Sequence, residues 1–234
     1  MTDGVRFFPA GPLSAIAIII LVVLLIIIIP LFVLGLIGAA FVRLGFSWIS
    51  ALVVIFLMLF GSMVNIPVYR IRHYMIRISR MDPCISSGES CNAWDTTVTC
   101  NLGGSVLPSV IAAYLVYKAL PIAGNFLFIT VFLSVITVAA VTFVSTRVVP
   151  GVGIRVPLLI PGLTALLAGV ILSGGSGLPA AVAAFAGGTI GTLSGGNIAH
   201  LFRISDLELP EVSIGGAGTF GAVFICCILP ALLA

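Results

Sequence analysis

Residues 178–201 read LPAAVAAFAGGTIGTLSGGNIAHL, an apolar segment without Asp, Glu, Lys or Arg. About 20 such residues in a helix span the roughly 30 Å hydrocarbon core of a bilayer. Small residues recur in this segment at every fourth position, which lets helix backbones approach closely. The segment is therefore predicted to be a tightly packed transmembrane helix with two small-xxx-small rows: Ala183, Gly187, Gly191, Gly195 and Ala199 in one, and Ala180, Ala184, Gly188, Thr192 and Gly196 in the other.

The whole chain has the composition of an integral membrane protein. Of its 234 residues, 61% are hydrophobic and 7% are charged, whereas about 25% are charged in an ordinary soluble domain. A soluble fold could not keep so much apolar surface from water. The composition excludes a soluble enzyme, a nucleic-acid binder and a disordered chain. The formal net charge of +3 is too small to imply a polyanionic partner.

Apolar stretches along the chain predict an all-α polytopic bundle of about seven transmembrane helices, forming one domain over residues 1–234. The first stretch is too long for one upright span, so it must tilt, kink at Pro30 or project beyond the bilayer. The predicted location is the plasma membrane. The stretches are Leu13–Val42, Phe46–Val64, Ser105–Leu120, Ile122–Thr146, Arg155–Ser173, Leu178–Leu201 and Ser213–Ala234.

Basic residues predict the orientation of this bundle. With seven spans, the N-terminus and three of the connecting segments share one side of the membrane, and eight of the ten basic residues lie there. Positive charge is enriched on the cytoplasmic side, so the N-terminus is predicted inside and the C-terminus outside. The inner residues are Arg6, Arg70, Arg72, Arg77, Arg80, Arg147, Arg155 and Arg203, and the outer ones are Arg43 and Lys118.

The longest connection, residues 65–104, is predicted to be a cytoplasmic loop, and its first part has two interpretations. Val68, Ile71, Met75 and Ile78 have the spacing of a short basic helix lying on the inner leaflet. Alternatively, the segment is a strand that pairs with residues 96–100, in which apolar and polar residues alternate. The sequence does not decide between the two.

Residue types needed for most membrane-protein chemistry are missing from the predicted spans. All seven carboxylates, Asp3, Asp82, Glu89, Asp95, Asp206, Glu208 and Glu211, fall in loops or termini. Ion transporters commonly use a carboxylate at membrane depth, and an aspartyl protease needs two. No G-x-S-x-G motif surrounds a serine. We therefore assign no catalytic residue, and although the sequence leaves enzymatic activity open, it favours a protein that is not an enzyme.

The five cysteines suggest no metal site. Cys84, Cys91 and Cys100 lie in the cytoplasmic loop, where thiols are expected to be reduced. Their spacings match no paired C-x-x-C zinc pattern. Cys226 and Cys227 are adjacent in the last span and are expected to pack as small apolar residues. No metal ion or cofactor is predicted, and whether the loop cysteines have a role stays open.

Three glycine-rich openings are candidates for ligand binding: residues 101–104 (NLGG), 194–197 (SGGN) and 213–220 (SIGGAGTF). Glycines at the start of a helix leave backbone N–H groups free to hold an anion or a polar headgroup. The alternative is that these glycines only allow turns and close helix crossings. The candidate substrate-binding residues are Asn101, Gly103, Gly104, Asn197, Gly215, Gly216, Gly218 and Thr219.

These motifs resemble a family of uncharacterised multipass membrane proteins from archaea and bacteria, catalogued as domain-of-unknown-function family sixteen-fourteen. The resemblance covers about residues 45–234. It also includes residues 65–68 (NIPV), 153–157 (GIRVP) and 188–193 (GTIGTL). It implies intramembrane aspartates at two positions where this chain has Asn197 and Gly221. The chain is thus divergent at both expected acidic positions.

The sequence consequently favours a binding or transport-type helical bundle with a Gly-rich site among spans three, six and seven. Two alternatives are a degenerate scaffold of the intramembrane aspartyl-protease type and a structural or assembly protein. The predicted partners are the lipid bilayer, with anionic lipid at the inner face beside Arg147 and Arg155 as a candidate, and no nucleic acid. The small-molecule or protein partner is not specified.

Overall fold

The computed structural model describes residues 12–74, 93–201 and 209–230. The described chain is predominantly helical and contains seven α-helices, one in each predicted apolar stretch. Two π-helices, Leu102–Val106 and Leu193–Asn197, respectively precede the third helix and extend the sixth. The α-helices are α1 Pro12–Arg43, α2 Trp48–Gly61, α3 Leu107–Ala123, α4 Phe126–Ser145, α5 Ile160–Ser173, α6 Leu178–Thr192 and α7 Phe220–Ile228.

Helix length and hydropathy are sufficient for membrane spanning in four places among the described residues. These are Ile18–Arg43, Leu102–Ala123, Phe126–Ser145 and Leu178–Leu201. The helices α2 and α5 are also apolar, but each has only 14 residues. At 1.5 Å per residue each covers about 21 Å, which is less than the hydrocarbon core of a bilayer.

Helix α6 forms the centre of the bundle, and α3, α4, α5 and α7 pack around it. Twelve of its fifteen residues are buried. Its glycines lie directly against other helices. A β-carbon built on Gly191 would lie 2.8 Å from the Val138 β-carbon in α4, and one built on Gly188 would lie 2.9 Å from the β-carbons of Ala165 and Cys226. Both small-residue rows thus face neighbouring helices of the same chain.

Among the side chains that the structure describes in α1, those buried against the bundle lie in its C-terminal part. Ile37, Ala40 and Phe41 are buried there, and the Phe41 ring packs edge-on against Phe185 of α6 at a centroid distance of 6.2 Å. The large apolar side chains between positions 18 and 33 are all exposed. The helix continues through Pro30.

A small sheet brings together segments that are far apart in the sequence. Strand β1 (Asn65–Tyr74) pairs antiparallel with β2 (Ala93–Asn101), and β2 pairs parallel with β5 (Glu211–Ile214). A separate hairpin consists of β3 (Arg147–Val149) and β4 (Gly153–Arg155). All of these strands connect helices at one end of the bundle, so they gather the polar groups of the connecting segments in one place.

The sheet decides between the two interpretations of the loop. Val68 and Ile71 lie in strand β1, so the basic-helix alternative is wrong for these residues, while Met75 and Ile78 lie outside the described residues. Two span boundaries also need correction. The seventh helix begins at Phe220 and not at Ser213, because residues 211–214 pair with β2. The fifth begins at Ile160 and not at Arg155, because Arg155 ends β4.

Candidate functional site

Asn101 connects the sheet to the helices through its side chain. It is 1% exposed and precedes the first π-helix as its N-cap. Its Oδ1 accepts from the Gly104 N–H at 2.8 Å, and its Nδ2 donates to the Ser62 carbonyl at 2.6 Å and to Asn65 Oδ1 at 2.9 Å. With both ends of the amide engaged, Asn101 ties the end of α2, the start of β1 and the start of α3 together.

Gly103 and Gly104 are packing positions. Gly103 lies against the backbone at the end of α2, and Gly104 lies against the backbone of Gly215. Any side chain at either position would collide with that backbone. Gly215 itself has a φ of +74°, which L-residues with a β-carbon rarely adopt. The first and third glycine-rich openings therefore meet, and their contact leaves no room for a ligand between them.

Residues 215–219 form a turn between β5 and α7, which we call the glycine turn. Gly216 accepts at its carbonyl from the Thr219 N–H at 2.8 Å and from the Phe220 N–H at 2.7 Å. The carbonyl of Gly218 accepts from the Val156 N–H at 3.0 Å, which attaches the turn to the chain just after β4. Thr219 is 1% exposed. The turn is thus fixed at both ends, and Ala217 at its middle is exposed.

Two cavities adjoin the glycine turn and share Val152, Ala217 and Gly218 in their walls. One, of about 260 Å³, extends along the starts of β1 and β5. The other, of about 290 Å³, extends beside the end of β4. We call the two together the polar groove, whose lining includes Asn65, Val152, Arg155, Val156, Glu211, Ser213, Ala217 and Gly218.

Glu211 is held in place at one end of the polar groove. Its Oε1 accepts from Asn65 Nδ2 at 3.2 Å and from Thr99 Oγ1 at 3.0 Å. Asn65 is in turn oriented by Ser213, whose hydroxyl donates to Asn65 Oδ1 at 2.9 Å. Neutral donors thus fix one carboxylate oxygen of Glu211. Among the described residues no group donates to the other.

Arg155 lines the other end of the groove at the end of β4. Its backbone pairs with Arg147 across the hairpin, and its side chain is exposed. Within the described ranges the ion pair is Arg72–Asp95, at 3.2 Å in the sheet. Arg155 and Glu211 are therefore not paired with each other, and opposite charges stand at the two ends of one groove.

Asn197 lies apart from this groove, in the second π-helix. It is 1% exposed, and neither its Nδ2 nor its Oδ1 has a hydrogen-bond partner among the described residues. The neighbouring Gly195 packs on the Ala139 backbone of α4. A β-carbon on Gly221, the other position where the resemblance implies an acid, would meet Leu158 at 2.8 Å. The glycine-rich opening at the end of α6 thus faces α4, whereas those before α3 and α7 meet each other.

The sequence did not single out Asn65, Glu211 and Arg155 as a group. Asn65 contributed to a family motif, Glu211 was counted among the loop acids, and Arg155 was assigned to lipid contact. They are separated by 146 positions at most and come together because β5 joins the sheet and β4 contacts the glycine turn. The signal that could have found them is the prediction that their connecting segments share one side of the membrane.

The cysteines that the structure describes do not line the groove. Cys100 is half-buried in β2, and Cys226 and Cys227 are buried in α7. Cys84 and Cys91 lie outside the described residues. Among the described residues no three His, Cys, Asp or Glu side chains are grouped so that they could hold a metal ion.

Comparison with known proteins identifies a family and no activity. No curated protein and no solved structure matches the chain. A model of a family described as a protein of unknown function, DUF1614, matches residues 59–233. These residues include the sheet, the glycine turn and every helix from α3 to α7. The chain therefore belongs to the DUF1614 family.

Proposed function

We propose that the protein is a multipass membrane protein of the binding or transport type, whose ligand site is the polar groove. The observation that carries the proposal is the groove itself: a backbone turn without bulky side chains, placed between Glu211 and Arg155. Glycine-rich turns at helix ends serve this purpose in transporters, where backbone groups line a wet cavity. Of the predicted set, the proposed site thus keeps Gly218, which lines both cavities, and it adds Asn65, Arg155 and Glu211. Gly215, Gly216 and Thr219 belong to the same turn but are buried and line neither cavity.

The other predicted positions support packing better than binding. Asn101, Gly103 and Gly104 are occupied by protein contacts. We infer that the small rows of α6 serve tight helix packing within the chain, since both rows face neighbouring helices. A structural protein that assembles through these rows would present them on its outside. A degenerate aspartyl-protease scaffold is less well supported, because the two positions contact different elements: the π-helix of Asn197 packs on α4, and Gly221 lies against Leu158.

We propose seven spans in the plasma membrane with the N-terminus inside. The distribution of charge supports this orientation. Arg70, Arg72, Arg147 and Arg155 lie in strands at one end of the bundle. Lys118 marks the other end, where its Nζ donates to the Gly45 carbonyl at 2.7 Å. The enrichment of basic residues on the cytoplasmic side then puts the polar groove at the inner face. The short helices α2 and α5 would be accommodated by local thinning of the bilayer.

Native mass spectrometry of the full chain, released from nanodiscs after purification, tests the groove as a site. Ala217→Trp would fill the groove, because Ala217 lines both cavities. Asn125→Trp is the matched control, since Asn125 is an exposed residue between α3 and α4, at the opposite end of the bundle. We expect a small molecule to remain bound to the wild type and to Asn125→Trp and to be lost from Ala217→Trp. A wild type without a bound molecule, or equal binding by all three proteins, would contradict the proposal.

A further inference from the structure

We infer that the polar groove binds a zwitterion, with its ammonium group at Glu211 and its anionic group, a carboxylate or a phosphate, at Arg155. The inference rests on the proposed function, since it names the class of ligand that the same groove would take. It follows from the placement of one acid and one base on the two cavities that meet at the glycine turn.

At the acidic end, hydrogen bonds hold the Glu211 carboxylate in one orientation. Asn65 and Thr99 both donate to Oε1. Oε2 has no donor among the described residues and is available to a ligand. An ammonium group supplies three donors and no acceptor, so it complements this oxygen.

At the basic end, Arg155 is positioned by the backbone on both sides. Its own strand pairs with Arg147, and the next residue donates its N–H to the carbonyl of Gly218. The guanidinium is a planar fork that binds carboxylate or phosphate through two parallel hydrogen bonds. Arg155 therefore offers an anion a charged partner beside the glycine turn.

The pair of charges argues against simpler ligands. A lone anion would find an oppositely charged partner only at Arg155, and a lone cation only at Glu211. A molecule with both charges satisfies both ends, because opposite charges attract and like charges repel at each of them. The cavity volumes, about 260 and 290 Å³, lie at or just below the lower end of the roughly 300–1,000 Å³ typical of ligand pockets. They favour a small molecule or a headgroup.

Two sources supply this chemistry. A free zwitterion such as an amino acid or phosphoethanolamine would reach the groove from the aqueous side. A phosphoethanolamine lipid headgroup would reach it from the membrane, since the groove lies at the end of the helices where the sheet begins. Both present an ammonium group and an anion a few bonds apart.

Calorimetric titration of the full chain in an uncharged maltoside detergent tests the ligand class. The probes are phosphoethanolamine and glycine, compared with inorganic phosphate and ethylamine, which each carry one of the two charges. We expect at least one zwitterion to bind at least tenfold more tightly than either single-charge probe. Phosphate binding as tightly as phosphoethanolamine and glycine would overturn the inference and would leave the groove as an anion site, with the proposed function intact.

Charge-removing variants test the assignment of each end. Glu211→Gln keeps an oxygen that can accept from Asn65 and Thr99, so the local fold is retained. We expect it to weaken binding of the zwitterion at least tenfold and to leave phosphate affinity no lower than in the wild type. Arg155→Gln should weaken binding of the zwitterion and binding of phosphate alike. Arg147→Gln, on the adjacent strand and outside the groove, should weaken neither. Equal effects of Arg155→Gln and Arg147→Gln would overturn the inference.

The source of the zwitterion is distinguished in nanodiscs. If the wild type retains phosphatidylethanolamine in preference to phosphatidylglycerol, and Glu211→Gln loses this preference, the ligand is the lipid headgroup. Retention of neither lipid, together with tight binding of phosphoethanolamine or glycine in detergent, assigns the free molecule. A bound molecule that Ala217→Trp removes but that carries a single charge would refute the zwitterion and retain the groove.

Discussion

Gly215 and Gly104 touch through their backbones: a β-carbon built on Gly215 would lie 2.6 Å from the carbonyl carbon of Gly104 and 2.8 Å from the Ser105 nitrogen. Backbone atoms so close cannot yield to a side chain without moving a whole segment. The contact joins the glycine turn before α7 to the π-helix before α3. The two glycine motifs thus form one contact, which we call the glycine joint, between an early and a late part of the region that matches the DUF1614 family.

Gly215→Ala should destabilise the protein more than Gly151→Ala. Both glycines have a φ of +74°, but Gly151 has open space around its missing side chain. The backbone strain, roughly 1–2 kcal/mol, is then common to both variants, and the difference reports the contact with Gly104, about 1–3 kcal/mol. Thermal unfolding in detergent measures it. Equal midpoints for the two variants would show that the glycine joint tolerates a methyl group.

Asn101→Ala should lower the free energy of unfolding by about 1–3 kcal/mol, because it leaves the N–H of the buried Gly104 and the carbonyl of the half-buried Ser62 without this partner. Asn125→Ala is the control, since Asn125 is exposed and its side chain makes no capping hydrogen bond to α4. It should change stability by no more than about 0.5 kcal/mol. A similar loss in both variants would argue against the role of Asn101 as a structural tie.

Gly191→Ala should destabilise the bundle, although alanine is the better helix former by about 1 kcal/mol. The added methyl would lie 2.8 Å from the Val138 β-carbon and 2.9 Å from the Val135 carbonyl oxygen. Gly35→Ala, in α1, meets nothing within 4 Å, so it should be neutral or stabilising. The difference between the unfolding midpoints of the two variants measures the effect of the close packing of α6 on α4. A gain in stability for Gly191→Ala would contradict this close packing.

Single-cysteine labelling should place the sheet on the cytoplasmic side. The background replaces Cys84, Cys91 and Cys100 by serine and keeps the two buried cysteines of α7. An impermeant maleimide should label Asn125→Cys in intact cells and label Arg70→Cys only after lysis, since both residues are exposed but at opposite ends of the bundle. The reverse pattern would invert the orientation, and labelling of both in intact cells would show that α3 does not cross the membrane.

The helices could be predicted from the sequence because their signal is local. An apolar run of 14 residues or more can be recognised from the local sequence alone, and each of the seven predicted stretches contains a helix. Only part of the sheet could be predicted from the sequence. The alternation in residues 96–100 suggested β2, but β5 has four residues, and its parallel pairing with β2 leaves no trace in either segment alone.

The glycine motifs show why the candidate site was harder to predict than the fold. Glycine is needed wherever a backbone must be approached closely, whether the approaching group is a ligand or another backbone. At Gly103 and Gly104 it is another backbone, and at Gly218 it is both the Ile154 backbone and a cavity. The sequence shows a glycine at each of these positions. Only the arrangement of the neighbouring segments distinguishes a glycine that contacts another backbone from one that also lines a cavity.

The parallel pairing of β2 with β5 also fixes an order of events during synthesis. Glu211 accepts the Thr99 hydrogen bond across 112 positions of the chain, and four helices, α3 to α6, lie between them. On a ribosome, the edge of β2 therefore stays without its partner until those helices have been made. Contacts between residues so distant in sequence form late and slowly. The polar groove, which needs β5, is consequently among the last parts of the protein to exist, and a chain truncated before residue 211 would lack α7 and have no site.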